Sequence, residues 1–281
     1  MAVHFTKMHG CGNDYVYVNG FTEQVSPEEK PAFVRAVSDR HFGIGSDGVI
    51  FINPGTQADF EMEMWNADGT RAEMCGNGIR CVAKYVYDHG MAGGTHFTIE
   101  SFGKVKVMEV TAENGLCTAV RVDMGEPILS PALIPVTAEG DRVVSEPLSV
   151  AGRQFRMTCV SMGNPHCVIF EDPDMVGLAA VGPLIEHHPR FPKRTNVEFV
   201  RVLSRHEVRM RVWERGTGET LACGTGCCAT AVACVLNGLT EREITVHVLG
   251  GDLLIEWDEK TGHVFMTGPA TTVFEGEIAT W

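Results

Sequence analysis

Met64-Trp65-Asn66-Ala67-Asp68-Gly69-Thr70-Arg71-Ala72-Glu73-Met74-Cys75-Gly76-Asn77-Gly78 aligns without a gap on Val212-Trp213-Glu214-Arg215-Gly216-Thr217-Gly218-Glu219-Thr220-Leu221-Ala222-Cys223-Gly224-Thr225-Gly226, 148 residues further along the chain. A Trp, a Cys and two Gly coincide, and in both copies the Trp stands ten residues before the Cys. The same offset sets Gly48-Val49-Ile50-Phe51 on Asn196-Val197-Glu198-Phe199, and with a slip of three residues Gly12-Asn13 falls on Gly163-Asn164. Self-similarity at a fixed offset marks a structural unit used more than once, so the chain reads as a duplication.

Each copy carries the same coarse layout. After Cys75 the positions Ile79, Val82, Ala83 and Val86 have helical spacing, and the pattern stops near Gly90. After Cys223 the run to Leu236 is apolar or small nearly all round, which predicts a buried helix ended by Gly238. Strand pairs follow both: Thr98 to Ser101 and Val105 to Val110 around Phe102-Gly103, then Ile244 to Leu249 and Leu253 to Trp257 around Gly250-Gly251. Strands, one central helix and more strands in each half predict an α+β unit used twice. Pro127, Pro131 and Pro135 mark the boundary, giving expected domains of 1–125 and 126–269.

At 281 residues the chain is long enough for two domains. Thirty-six acidic against 23 basic residues leave a net charge of −13, which opposes binding to nucleic acid or to an anionic membrane surface. The first ten residues place His4, Lys7 and His9 where a signal peptide needs its apolar core, and nothing approaches a membrane span. A cytoplasmic location is expected, where thiols stay reduced. The ten cysteines then point to catalysis, metal binding or core filling rather than disulfides. No two CxxC motifs lie close together and no histidine has zinc-finger spacing, so no metal site is expected.

Cys75 and Cys223 each precede a Gly-x-Gly step that opens a helix. A helix amino terminus favours negative charge through its unpaired N–H groups and its dipole, which lowers a thiol pKa and seats a carboxylate. Two such cysteines facing one small anion suit removal of a proton α to a carboxylate by one thiolate, with return of a proton to the other face by the opposite thiol. No cofactor is needed. The weakly acidic α-hydrogen requires preorganised donors for the developing charge, and two helix termini supply them. A lone Cys at the start of a buried helix is ordinarily core filler, and Cys81, Cys117, Cys159, Cys167, Cys227, Cys228 and Cys234 are read that way. Cys11 lies in a polar, glycine-rich motif and stays open between the two readings.

At these residues the sequence resembles the diaminopimelate epimerases, cofactor-independent amino-acid epimerases of lysine synthesis. The resemblance spans the chain and rests on Met8-His9-Gly10-Cys11-Gly12-Asn13-Asp14-Tyr15, Gly43-Ile44-Gly45-Ser46-Asp47-Gly48, Asn66-Ala67-Asp68-Gly69, the stretch around Cys75, Met162-Gly163-Asn164-Pro165-His166, Thr195-Asn196-Val197-Glu198-Phe199, and Trp213-Glu214-Arg215-Gly216 through Gly226. It implies that Cys75 and Cys223 are the acid/base pair, that Gly76-Asn77 and Gly224-Thr225 hold the reacting carboxylate, and that Asn13, Asn66, Asn164, Asn196, Glu214 and Arg215 bind substrate. It gives His166 and Glu214 a part in catalysis, His166 by tuning the nearby thiol. One departure is Gly48, where some members carry a substrate-binding Gln.

The resemblance further implies two pseudo-symmetric domains, each a mixed or antiparallel barrel-like sheet around a central buried helix. A last strand near Thr271 to Ile278, within 270–281, would return to the first domain. It implies a homodimer with Phe274 at the contact. Two rivals are a proline racemase or hydroxyproline epimerase, which shares the two-cysteine chemistry on a compact single-carboxylate ring, and a cysteine-rich redox or metal-binding protein without turnover. Glu214-Arg215 and the several Asn favour the longer substrate with an amino acid at each end.

Overall fold

The computed structural model describes residues 2–72 and 74–279, and its fold is α+β. Its contacts divide the chain into two compact units, Met1–Val122 with Gly268–Trp281, and Asp123–Thr267. In chain order the elements begin with β1 (Val3–Gly10), β2 (Asn13–Asn19), α1 (Lys30–Ser38), β3 (Gly48–Pro54), β4 (Phe60–Asn66), α2 (Gly76–Asp88), β5 (His96–Ser101), β6 (Lys104–Glu113) and β7 (Leu116–Gly125). They continue with β8 (Glu146–Val150), β9 (Arg153–Ser161), β10 (Pro165–Ile169), α3 (Leu178–Glu186), β11 (Asn196–Val202), β12 (Glu207–Glu214), β13 (Gly218–Thr220), α4 (Gly224–Leu236), β14 (Glu243–Val248), β15 (Gly251–Trp257), β16 (Val264–Gly268) and β17 (Thr271–Ile278).

The strands of the first unit run in the order β17-β1-β2-β3-β4-β5-β6-β7, with β2–β3 and β4–β5 parallel and the other pairs antiparallel. Those of the second run β8-β9-β10-β11-β12-β14-β15-β16, with β10–β11 and β12–β14 parallel and the rest antiparallel. Apart from the three-residue β13, which pairs antiparallel with β12, the two series match strand for strand. Residue registers repeat as well: Tyr15 opposes Gly48 across β2 and β3, and His166 opposes Asn196 across β10 and β11. The duplicated sequence is therefore a duplicated sheet.

Each sheet packs on one helix whose amino-terminal turn carries the repeated cysteine. In α2 the side chains at Ile79, Val82, Ala83 and Val86 are all buried, as their spacing requires, and the helix contacts β1, β2 and β6. Gly90 ends it at φ 66°, a left-handed conformation that only glycine adopts without strain. In α4 burial extends from Gly226 through Cys234 without a break, and the helix contacts β9, β10, β11, β14 and β15. Cys227, Cys228 and Cys234 are each 0 % exposed there, small apolar side chains that let strands approach on every side. Gly238 ends α4 at φ 67°.

Two short helices, α1 and α3, are absent from the sequence expectations. Both cover outer faces: α1 packs on β3 and β4, and α3 on β8, β11, β12 and β13. The cover on β3 explains why Val49, Ile50, Phe51 and Ile52 are all buried rather than alternating. The repeated tryptophans are explained by packing. Trp65 Nε1 donates to Glu63 at 2.9 Å, and Trp213 Nε1 donates to Glu186 of α3 at 2.9 Å. A Cβ at Gly182 of α3 would stand 2.6 Å from the Trp213 ring, so this glycine lets the helix lie on the indole. Among the described residues no helix is long and apolar enough to cross a membrane.

Candidate active site

Two clusters carry the sequence-predicted site residues, one in each unit. In the first, Cys75 is the N-cap of α2 in an extended conformation, and its Sγ accepts from Gly78 N at 3.3 Å. The thiol donates to Asn13 Oδ1 at 3.0 Å. Asn13 is held in turn: its Nδ2 donates to Asp47 at 2.7 Å, and Asp47 also accepts from Asp14 N at 3.1 Å and from Arg40. Lys7, 7 % exposed, bridges Asp14 and the carbonyl of Gly45. The Ala67 N–H reaches the Asp47 carbonyl at 3.1 Å, tying the turn after Asn66 to the same loop. Asn66 Nδ2 donates within that turn to Thr70 at 3.1 Å.

Asn77 is buried, and its Oδ1 accepts from Arg80 at 3.0 Å. Arg80 is fully buried, also donating to Gly76 O and Pro269 O at 3.2 Å and to Cys11 Sγ at 3.7 Å. A guanidinium thus underlies the first turn of α2, adding positive potential to that of the helix terminus. Cys11, buried at φ 51°, is a packed residue of the β1–β2 turn that accepts from this guanidinium. Sequence reading passed over Arg80 because an Arg at i+5 from the cysteine looks like an ordinary exposed helix position.

In the second unit Cys223 is the N-cap of α4, again extended, with Sγ 3.5 Å from Thr225 Oγ1. Asn164 Nδ2 donates to Thr225 Oγ1 at 3.2 Å, and Asn164 Oδ1 lies 3.1 Å from His166 Nε2. The other imidazole nitrogen, Nδ1, is 2.6 Å from Glu198 Oε1, and both side chains are fully buried. Glu198 carried no role in the sequence reading. Its place below the helix shows only when β10 and β11 are paired, with Val168 opposite it and His166 opposite Asn196.

Asn196 is anchored at both ends of its amide, donating to Pro165 O at 2.9 Å and accepting from Arg215 N at 2.9 Å. Glu214 accepts from Thr220 Oγ1 at 2.5 Å, and the exposed Arg215 guanidinium donates to Lys193 O at 3.2 Å. At Gly48 a Cβ would stand 2.0 Å from the Trp65 carbonyl, so this backbone admits no side chain at all. Phe274 on β17 stacks edge-on with Phe5 at 5.9 Å and remains 46 % exposed.

The first intrahelical bonds are Ile79 N to Cys75 O and Cys227 N to Cys223 O, both 2.9 Å. The N–H groups of Gly76, Asn77, Gly224 and Thr225 precede them in the first turns, where a helix offers N–H groups and positive potential to an anion. The expected lowering of the thiol pKa does not hold at Cys223: burial pushes this thiol well above its usual range, with Glu214 and Glu198 adding to the effect and Thr225 opposing it. At this buried sulfur desolvation outweighs the helix terminus. Among the described residues no group of three or more His, Cys, Asp or Glu side chains is disposed to hold a metal ion.

The same sheet-and-helix architecture occurs in amino-acid racemases and epimerases of low sequence similarity. A hydroxyproline epimerase from Agrobacterium vitis superposes with a TM-score of 0.69 at 14 % identity, covering 99 % of this chain and 92 % of that one. A probable proline racemase from Agrobacterium radiobacter gives a TM-score of 0.72 at 14 % identity, covering 99 % and 93 %. Sequence narrows the class. The diaminopimelate epimerase family model matches residues 5–130 and 158–273. Diaminopimelate epimerases of Acetivibrio thermocellus and Agathobacter rectalis are 56 % and 58 % identical, each over 98 % of this chain and 98 % of the relative. The chain belongs to the diaminopimelate epimerase family.

Proposed function

We propose that the protein interconverts LL- and meso-2,6-diaminopimelate, with Cys75 and Cys223 as the acid/base pair. The observation that carries this reading is the repeated N-cap: in two matching units a cysteine caps the longer of the unit's two helices, and each such helix opens with Gly-x-Gly. One sulfur as thiolate takes the α-proton, and the other as thiol delivers a proton to the opposite face of the same carbon. Configuration inverts, and neither an electron carrier nor a Schiff base enters the balance.

The N–H groups of Gly76, Asn77, Gly224 and Thr225 receive the reacting carboxylate as negative charge builds on it. A donor of this kind contributes about 3 kcal/mol when placed on developing charge in a dry site. Asn13 and Asn164 each hold their cysteine's surroundings in register, while Asn66, Asn196, Glu214 and Arg215 serve the ammonium and carboxylate groups of the substrate. His166 acts on the Cys223 side, and Glu214 shares that role through its charge. The Asn196 side chain has a second N–H beyond its bond to Pro165 O for a ligand. The reading includes a cytoplasmic homodimer with the exposed ring of Phe274, on an edge strand, at its contact.

Incubation with LL-diaminopimelate in heavy water tests the reaction. Deuterium should enter the α-carbon as the meso isomer forms. Absence of label would sink the reading, and label on proline or hydroxyproline instead would select the racemases of that fold.

A further inference from the structure

Ile50 and Glu198 stand at the same position of the repeat, 148 residues apart. A Cβ placed on Gly78 would lie 2.8 Å from Ile50 Cδ1, and one placed on Gly226 would lie 2.8 Å from Glu198 Oε1 and 3.3 Å from Cys223 Sγ. Below one cysteine the floor is hydrocarbon; below the other it is a carboxyl group. Glu198 Oε2 is buried with no hydrogen-bond partner among the described residues. A carboxyl oxygen left without a partner in the protein interior is costly, so a Glu at this position calls for a function.

Hydrogen-bond direction supplies it. Asn164 Nδ2 donates to Thr225 Oγ1, so the amide Oδ1 faces His166 and accepts from Nε2–H. With Nε2 carrying hydrogen, the short contact between Nδ1 and Glu198 Oε1 holds a proton of its own. Thr225 Oγ1, accepting from Asn164, keeps its hydroxyl hydrogen for a donation to Cys223 Sγ 3.5 Å away, the direction a thiolate requires. The donors run one way, from the buried pair to the sulfur.

We propose that Glu198 is a positioning residue for Cys223: by sharing one proton with His166 Nδ1 it fixes Nε2 as a donor, orients the Asn164 amide, and so keeps the Thr225 hydroxyl donating to the sulfur. The shared proton leaves the pair neutral, which removes the repulsion an anion beneath the thiolate would exert. Loss of that proton reverses the series: Nδ1–H would donate to the carboxylate, Nε2 would accept, the amide would turn, and Thr225 would donate to Asn164 instead of the sulfur. Burial raises the Glu198 carboxyl pKa, His166 opposes the shift, and Glu214 adds to it, which favours the protonated arrangement. The titratable groups around it are His166 and Cys167 on β10, Glu214 on β12 and Cys223 at the start of α4. From α3 comes Glu186, whose oxygens are taken by Trp213 Nε1 and Gly216 N.

The inference rests on the proposed function only in treating Cys223 as a reacting group, and its test needs no turnover. Alkylation by iodoacetamide, followed peptide by peptide as a function of pH, reads the thiolate fraction at Cys223 with Cys75 as the control in the same molecule. Glu198→Met, which cannot hold the proton, should leave Cys223 with about tenfold less thiolate at a given pH, a midpoint about one unit higher. Glu198→Gln, whose amide can donate to Nδ1, should restore the wild-type midpoint, and Cys75 should be unmoved in both. Midpoints that fall in both variants would mean the carboxylate acts by repulsion and would overturn the proposal, as would no shift in either. Should the Met variant fail to fold, the wild-type protein decides: histidine 15N spectra should find Nε2 of His166 protonated, and an unprotonated Nε2 overturns the proposal.

Discussion

Cys75 and Cys223 cap matching helices, yet the Cys75 thiol donates to the Asn13 amide at 3.0 Å while the side chain beside the Cys223 sulfur is the Thr225 hydroxyl at 3.5 Å. The scaffold repeats and the chemistry around the sulfurs does not. In the first unit the Arg80 guanidinium bonds the Gly76 carbonyl in the opening turn of α2; in the second the Glu198–His166 pair lies beneath Cys223.

Removal of either sulfur should abolish epimerisation. Cys75→Ala and Cys223→Ala should each lower kcat at least about 100-fold, the smaller end of what a positioned acid or base contributes. Measurement of meso-isomer formation by chiral chromatography checks this, and a single variant that retains near-full activity refutes the paired mechanism.

The two glycines that face the sulfurs should differ in tolerance. Gly226→Ala sets a methyl against Glu198 Oε1 and Cys223, both in fixed packing, and should cost about 2 kcal/mol as overpacking. Gly78→Ala meets the tip of Ile50, a flexible end that can rotate away, and should cost less than half as much. Urea unfolding of the two variants gives the comparison, and equal losses would contradict the geometry.

Asp14 links stability to pH. Burial alone would raise its carboxyl, but hydrogen bonds and charge from Arg40 and Lys7 prevail and hold it below the ordinary 3.8. A depressed carboxyl contributes stability that is fully present above the unfolded value and is lost as pH falls through the lower folded value. Asp14→Asn should therefore destabilise the protein by about 2 kcal/mol near neutrality, since it leaves the buried Lys7 ammonium without its partner. The gap from wild type should close below pH 4 in thermal melts, and a gap that stays constant with pH would refute the linkage.

Phe274 stacks on Phe5 with nearly half its surface exposed, beside Val273 at 53 % exposure. Phe274→Asp should convert the proposed dimer to monomer in sedimentation velocity while leaving the far-UV spectrum intact. A monomeric wild-type protein would remove the dimer from the reading.

The duplication, the two long helices and the strand pairs were legible because their signals are local: repeated motifs, helical spacing, and glycines where a helix must stop. The ends moved little, α2 closing at Asp88 and α4 at Leu236. What could not be read was set by pairing between distant segments. The α1 sequence is too short and too mixed to stand out, and α3 contains Pro183, which reads as a break. Arg80 and Glu198 look like ordinary charged positions until strand order places them under the helix starts. The depression expected for the thiols followed from the helix terminus alone; for Cys223 burial, which no local pattern reveals, reverses the sign.

The final strand β17 lies along β1 in antiparallel register from Val3 opposite Ile278 to His9 opposite Thr271, so the second unit is inserted between two parts of the first. During synthesis the inserted unit is the one whose strands and helices are contiguous in the chain. It can mature on the ribosome while the earlier-made unit waits, its outer ladder incomplete, for β17, which is translated after the second unit. Loss of those last residues by premature termination would leave β1 with an open edge in the unit made first, a ready template for mispairing with another chain.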